Sequence, residues 1–387
     1  MKDRISCICV THNRVDMLER AISCFQRQTH GDKELVILFE NDPVTEQFVT
    51  QHPEYDLYTV VQERMPGQMV MEAAQHNEIR EGSHVLLRNA EGYLLDATDL
   101  KWIEPDTSES GTDPGEVVPS YPFTIETNED QSFALSLNNQ WLVLTSTEDL
   151  VLTDDRSQAT HFRAQRLLNG QFLISRAAEV PADSDPLTAI GWEKRLGHKR
   201  LGHKGRSGDV VFHKVVPAQE LTLGMKRNLS IMLAGGDYVC VWDDDDWYDT
   251  ERLTRQLDFL KYTGKKACSI AYNIFFDTNS GLAYHNLPRV TGQENTLLFE
   301  RNGAHQYASL NASEDTPMLL SYYNRNQLAV MEDPELYIYN YHKTNTCSSD
   351  HFQLIINTSV RLSDSETEQV REILDWHEPV AESFMSS

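Results

Sequence analysis

Four consecutive aspartates, Asp243 to Asp246, lie between Trp242 and Trp247, directly after the apolar run YVCV. Carboxylates at that spacing repel one another and resist desolvation, so the run either faces water or meets a positive group. The flanking tryptophans argue against a freely solvated tip. At the carboxyl end of a buried parallel strand, the run stands where an open α/β sheet forms its ligand crevice. Oxygen donors there suit Mg²⁺ or Mn²⁺ together with the phosphates of a substrate. The plain alternative is a loop leading into a helix, with Asp249 or Thr250 capping ERLTRQLDFL.

The elements that must position these acids follow a repeating grammar. Ile5 to Val10 reads as a short buried strand, and RVDMLERAISCFQRQT as a helix with Leu18, Ile22 and Phe25 on one stripe. Asn13 is its expected cap, with Asp16 in the first turn. KELVILF is a second buried strand, ended by ENDP. After position 208 the pattern returns. DVVFHKVV reads as a strand, TLGMKRNLSIMLAGG as a helix with Met225, Leu229, Met232 and Leu233 inward, and DYVCVW as the next strand. TERLTRQLDFL follows as a helix with Leu253, Leu257 and Leu260 on one face. Apolar strands alternating with helices predict a parallel α/β sheet.

The stretch between differs in texture. RNAEGYLLDA, LNNQWLVLTS and LLNGQFLISR each place a polar or Gly turn before an aromatic residue and then aliphatic positions. Repeated short strands of this kind predict an all-β module. It is similar to a β-trefoil of the fascin or ricin type, with an irregular β-sandwich as the alternative. Acidic EPDTSESGTDPGE inside it reads as a solvated loop. KRLGHKRLGHKG, the one basic cluster, reads as a return linker or as a patch for an acidic partner. The division expected is residues 1–66 for the first α/β part, 82–207 for the β insertion with its basic linker, 208–360 for the second α/β part, and 361–387 for an acidic tail. MPGQMVMEAAQHNEIRE, helical in flavour, is left on either side of the first boundary.

Composition narrows the function. At 387 residues and 40% hydrophobic content the chain can bury a sizeable core, and its net charge of −25 disfavours bulk binding to nucleic acid. Cys7, Cys9, Cys24, Cys240, Cys268 and Cys347 form no CxxC pair and mostly lie in apolar runs, which points to reduced thiols and a cytoplasmic setting. No window approaches the roughly 18 apolar residues of a membrane span.

The segments ISCICVTHNRVDMLERAISCFQRQT, KELVILFEND, LTLGMKRNLSIMLAGGDYVCVWDDDDWYDTERL, ENTLLFERN, NASEDTPMLL and YIYNYHKTNT occur in one order. In that order the sequence resembles the GT-A-fold glycosyltransferases of the large inverting family two, over 1 to about 65 and about 208 to 355. The β-rich stretch is not part of that family's common core. The fold implied is a nucleotide-diphospho-sugar transferase domain, Rossmann-like, interrupted by an all-β, trefoil-like insertion.

The resemblance carries roles onto matching positions. Asp243, Asp244 and Asp245 match the family's DXD motif. The first two would lie near the donor's nucleotide and sugar. Asp245, with Asp243, would hold a divalent metal, Mn²⁺ or Mg²⁺, on the diphosphate. Thr11, Asn13 and Arg14, with His12 between them, match the loop that touches base and ribose, and Glu40 and Asp42 end the second strand where acids hold a uracil. Lys226 and Arg227 match a basic segment beside the donor, and Asn228 is read as a tie between loops. His342 matches a metal ligand of some members, with a hydrogen-bonding role as the alternative. Asp246 and Trp247 are candidates for the acceptor side, and Trp247 equally for packing. Asp315, with Glu314, matches the position of the base that takes the acceptor hydroxyl's proton. The alternative is a pair of acids decorating a helix N-terminus capped by Ser313.

The activity implied is metal-dependent, inverting transfer of a hexose-type sugar from a nucleotide-diphosphate donor, expected to be a UDP-sugar. The acceptor hydroxyl belongs to a glycan, protein, lipid-linked sugar or other molecule. Two rivals are a nucleotidyltransferase, disfavoured by the lack of a Gly-rich phosphate loop, and a non-catalytic carbohydrate-binding protein.

Overall fold

The computed structural model describes residues 3–62, 69–73, 81–88, 94–95, 100, 102–103, 122–145, 150–169, 171–177, 192–198, 209–217, 220–342, 345 and 349–376. The chain divides into two compact units, Met1–Val60 with Lys194–Ser387, and Val61–Glu193. The second unit thus begins and ends earlier in the chain than the insertion expected at 82–207.

The first unit is built on a nine-stranded sheet. Its middle is parallel: Asp209–Val216 pairs with Lys33–Glu40, which pairs with Ile5–Val10, which pairs with Tyr238–Val241. These strands are apolar on both faces because both are covered, as a parallel sheet requires. Leu18, Ile22 and Phe25 of helix Val15–Gln26 join Cys7, Leu35, Ile37 and Cys240 in one buried cluster. Leu253, Leu257 and Leu260 of helix Arg252–Thr263 join the same cluster. Beyond Tyr238–Val241 the sheet turns mixed, with Leu298–Glu300 antiparallel to it. A five-stranded sheet includes Trp247–Tyr248, Tyr337–Tyr341 and Ile274–Asp277.

Helix starts depart from expectation. Asn13 has a φ of 55°, in the left-handed region that Asn tolerates, and Arg14 stands at the N-cap without a side-chain cap bond. Neither Asp249 nor Thr250 caps the helix at Arg252. Glu251 holds that position, and Asp249 Oδ1 accepts the Glu251 N–H at 2.8 Å. Ser313 likewise does not cap helix Thr316–Asn324. Its φ is 56°, and Asp315 is the N-cap.

The region expected to be a tail is partly core. Helix Asp364–Leu374 starts with a capping box at Ser363 and Glu366, and its Val370 and Leu374 pack with Phe276 and Ala283. The basic segment is not all linker either, since Trp192–His198 is a strand of the large sheet. The second RLGHK copy and Cys347 lie outside the described residues, whereas the other five cysteines are buried free thiols. No helix among the described residues is long and apolar enough to cross a membrane.

Apart from the 3-10 turn Arg156–Gln158, the regular elements among the described residues of the second unit are strands. Its strands close into an antiparallel ring. Phe133–Leu137 pairs with Phe162–Arg166, then Phe172–Arg176, Met69–Ala73, His84–Arg88 and Phe123–Thr127, which pairs back to Phe133–Leu137. Met69–Ala73 thus makes part of the helical-looking segment a strand of this module. Asn138 and Asn139, at φ 51° and 66°, turn the chain into Gln140–Leu144, which pairs with Leu150–Thr153 outside the ring. Phe123, Ile125, Leu135, Leu142 and Phe162 fill the core.

Candidate active site

Because the central strands are parallel, their carboxyl ends meet at one edge of the sheet, where Thr11 to Arg14, Glu40 to Asp42 and Trp242 to Asp246 all emerge. A cavity of about 230 Å³ opens there. Its walls include Arg14, Arg227, Asp243, Asp244, Asp245, Glu314 and Asp315, so the aspartate run and the second acidic pair share one space. Thr11, Asn13, Glu40, Asp42, Lys226, Asp246, Trp247 and His342 do not line it.

The acids are neutralised by arginines from distant sequence. Arg227 Nε donates to Glu314 Oε1 at 2.9 Å and Nη2 to Asp243 Oδ1 at 3.0 Å. Burial alone would lower the guanidinium, but Asp243, Tyr307 and Glu314 hold it charged above its ordinary value. Arg14 Nη1 donates to Asp244 Oδ1 at 3.3 Å and to Asp245 Oδ2 at 3.1 Å. Thr11 Oγ1 donates to Asp244 Oδ2 at 2.6 Å. Burial, reinforced by Asp245, still raises Asp244 to about 6.

Asp315 is raised to about 6 by burial and then by the neighbouring Glu314 charge. It stands at the cavity wall as a carboxyl group that accepts a proton near neutral pH. The loop carrying the pair is pinned to the start of helix Leu223–Leu233. Gly224 N–H donates to the Leu310 carbonyl at 3.0 Å, and Ala308 N–H to the Glu314 carbonyl at 3.1 Å. A Cβ on Gly224 would stand 1.7 Å from the Ala308 carbonyl oxygen, so only glycine permits this approach. Asn228 exchanges two bonds with the Tyr307 backbone, which fits its reading as a loop tie.

Other expected residues hold the site from behind. Asp42 is 3% exposed. It accepts N–H bonds from Asn13 at 2.6 Å, Val44 at 3.1 Å and Thr45 at 3.0 Å, and so caps helix Pro43–Gln51. Burial alone would raise Asp42, but the bonds from Asn13 and Thr45 hold its carboxyl below the ordinary value. Glu40 pairs with Lys226 at 2.9 Å. Asp246 is fully buried, bonded to the Tyr337 hydroxyl and at 2.9 Å to the Asn340 N–H, and burial pushes it well up. Trp247 lies in a strand against Ile338 and packs on the core. Neither lines the cavity, and both pack into the fold beside it.

For a divalent cation, the donors that converge are Asp245 Oδ2 and His342 Nε2, 3.1 Å apart. No group of three or more His, Cys, Asp or Glu among the described residues forms a fuller cage. Asp245 and His342 would hold a divalent cation through one carboxylate and one imidazole, with phosphate oxygens and water as its other ligands. Sequence reading missed Arg20, whose Nη2 donates to the Asp245 carbonyl at 2.7 Å, and Asn340, whose Nδ2 donates to the same carbonyl at 2.8 Å. It also missed the far wall of Asn286, Arg289, Glu294 and His351. Arg20, Asn340 and Glu294 lie inside the segments quoted from the sequence, whereas Asn286, Arg289 and His351 do not.

None of the curated proteins searched matches the chain. Among solved structures it is similar to S. aureus TarS 1-349, at 11% identity over 97% of this chain and 71% of that one, with a TM-score of 0.38. The same protein in complex with UDP-GlcNAc gives 11% identity, 97% and 72% coverage, and a TM-score of 0.41. Likenesses at such scores do not by themselves establish a shared fold. Residues 209–314, however, match the model of Glycosyl transferase family 2. That span contains the strand leading to the aspartates, Arg227, the aspartates themselves and Glu314. This match, which falls on the parallel strand ends that carry the site, indicates a glycosyltransferase built on an α/β domain.

Proposed function

We propose that the protein transfers a sugar from a nucleotide-diphosphate donor to an acceptor hydroxyl with inversion at the anomeric carbon. The observation that carries this reading is the single cavity shared by Asp243–Asp245 and Asp315. Arg14 and Arg227 face it as cations for the donor's diphosphate, with Asp243 and Asp244 toward ribose and sugar. Thr11, Asn13, Glu40, Asp42 and Lys226 shape the nucleotide end, and uracil is the base proposed. Asp245 and His342 would hold a divalent cation, whose chemistry when bound is to offset charge on the departing diphosphate.

Asp315 takes the proton of the acceptor hydroxyl as that oxygen attacks the anomeric carbon from the face opposite the diphosphate. One basic carboxylate suffices for this displacement, with no covalent sugar–enzyme intermediate. Glu314, held by Arg227, keeps Asp315 raised and is a positioning residue. The β module is read as a trefoil-like insertion on the strength of its closed ring with an external hairpin.

Incubating the protein with a panel of nucleotide sugars, with Mn²⁺ or a chelator, and measuring nucleoside diphosphate release tests the reading. Release from one donor that is lost with chelator and in Asp245→Asn supports it. A nucleotidyltransferase would instead release pyrophosphate from a nucleoside triphosphate. Release that is unaltered in Asp315→Asn would rule out the assigned base.

A further inference from the structure

Asp244 and Asp245 are 4% and 10% exposed at their side chains, yet a single guanidinium, that of Arg14, bridges them. The Asp245 oxygen it binds is the one that faces His342, at 3.1 Å from each. Asn345 Nδ2 reaches the same oxygen at 3.4 Å. Arg14 therefore stands on the atom the proposed cation site needs.

We infer that Arg14 is a resident counter-ion that exchanges partners. Arg14 bridges the carboxylate pair, and on donor binding it moves to the diphosphate, leaving Asp245 and His342 to the metal. This rests on the donor reading above and adds an order of binding to it.

The physics is one of competing cations. Two neighbouring buried carboxylates stay ionised only beside positive charge. A free divalent ion must displace Arg14 and leave that guanidinium, whose side chain is 24% exposed, beside a new positive charge. A nucleoside diphosphate removes the penalty, because its oxygens match the guanidinium fork. Metal and nucleotide then bind with positive coupling, each raising the other's affinity by the same factor. Arg20 and Asn340 donate to the Asp245 backbone carbonyl, so the carboxylate stays in place while its partners change.

The test is Mn²⁺ titration followed by electron paramagnetic resonance, with and without UDP, on the full chain, Arg14→Gln and Arg14→Lys. Thermal melts check that each variant is folded. Wild type should bind Mn²⁺ tightly only with UDP. Arg14→Gln should bind Mn²⁺ alone about ten-fold more tightly than wild type and lose most of the coupling. Arg14→Lys, whose ammonium lacks the bridging fork, should shift the same way by less, and carries the comparison if the Gln variant is unfolded. Tight Mn²⁺ binding by wild type with UDP, together with unchanged binding of Mn²⁺ alone in both variants, would overturn the counter-ion role and leave the donor reading standing. No Mn²⁺ binding by any of the three proteins with UDP would overturn the inference together with the metal assignment.

Discussion

Arg227 holds Glu314 across 87 residues of sequence, Nε to Oε1 at 2.9 Å, with both residues buried. The same guanidinium reaches Asp243, so the two acidic motifs are joined through one cation. Replacing it by methionine would leave two buried carboxylates without their charge partner. Arg227→Met should lose about 3–5 kcal/mol of stability, read by urea unfolding, and all transfer activity. Arg227→Lys should retain part of the stability and little activity, because an ammonium lacks the fork that meets both acids.

The raised carboxyl of Asp315 sets an acid limb. A base acts deprotonated, so activity should fall as pH drops through about 6, well above the ordinary aspartate range. The measurement is kcat/KM against pH, which reports groups of the free enzyme. Glu314→Gln removes the neighbouring charge that raises Asp315 and should move the limb to lower pH. A limb that stays in place would show that another group sets it.

Gly224 should tolerate no side chain. Gly224→Ala drives a Cβ into the Ala308 carbonyl and the Glu314 side chain, so the loop bearing Glu314 and Asp315 must shift. The expected result is a folded protein with at least about 10²-fold lower kcat, since small misplacements of reacting groups cost about that much. Steady-state rates alongside a thermal melt separate this from unfolding.

Much of this was readable in the sequence because it is local. The apolar strands, the helix stripes at Leu18, Ile22 and Phe25, and the acids at the strand end all follow from short-range pattern. The roles of Asp42 and Asn13 were not readable, because they depend on each other. Asn13 looks like a helix cap by position. Its left-handed backbone instead turns its N–H to Asp42, which caps a different helix. Arg14, one partner of Asp245, is 231 residues away, and no local periodicity encodes that meeting. Asp246 belongs to the motif by spacing, but the tight turn after Trp242 buries it under Tyr337.

Tyr337 supplies a test of that buried support. Tyr337→Phe removes the hydroxyl donor to Asp246 and should cost about 1–3 kcal/mol in denaturant unfolding. Because Asn340 bonds both Asp246 and the Asp245 carbonyl, donor affinity should weaken as well.

The donor site can be tested without knowing the acceptor. Isothermal titration of UDP and other nucleoside diphosphates into the protein, with Mn²⁺ and with chelator, measures it directly. The account predicts binding of one nucleoside diphosphate, strengthened by Mn²⁺ and lost in Asp245→Asn. Absence of binding for every diphosphate, or binding that Asp245→Asn leaves unchanged, would contradict it.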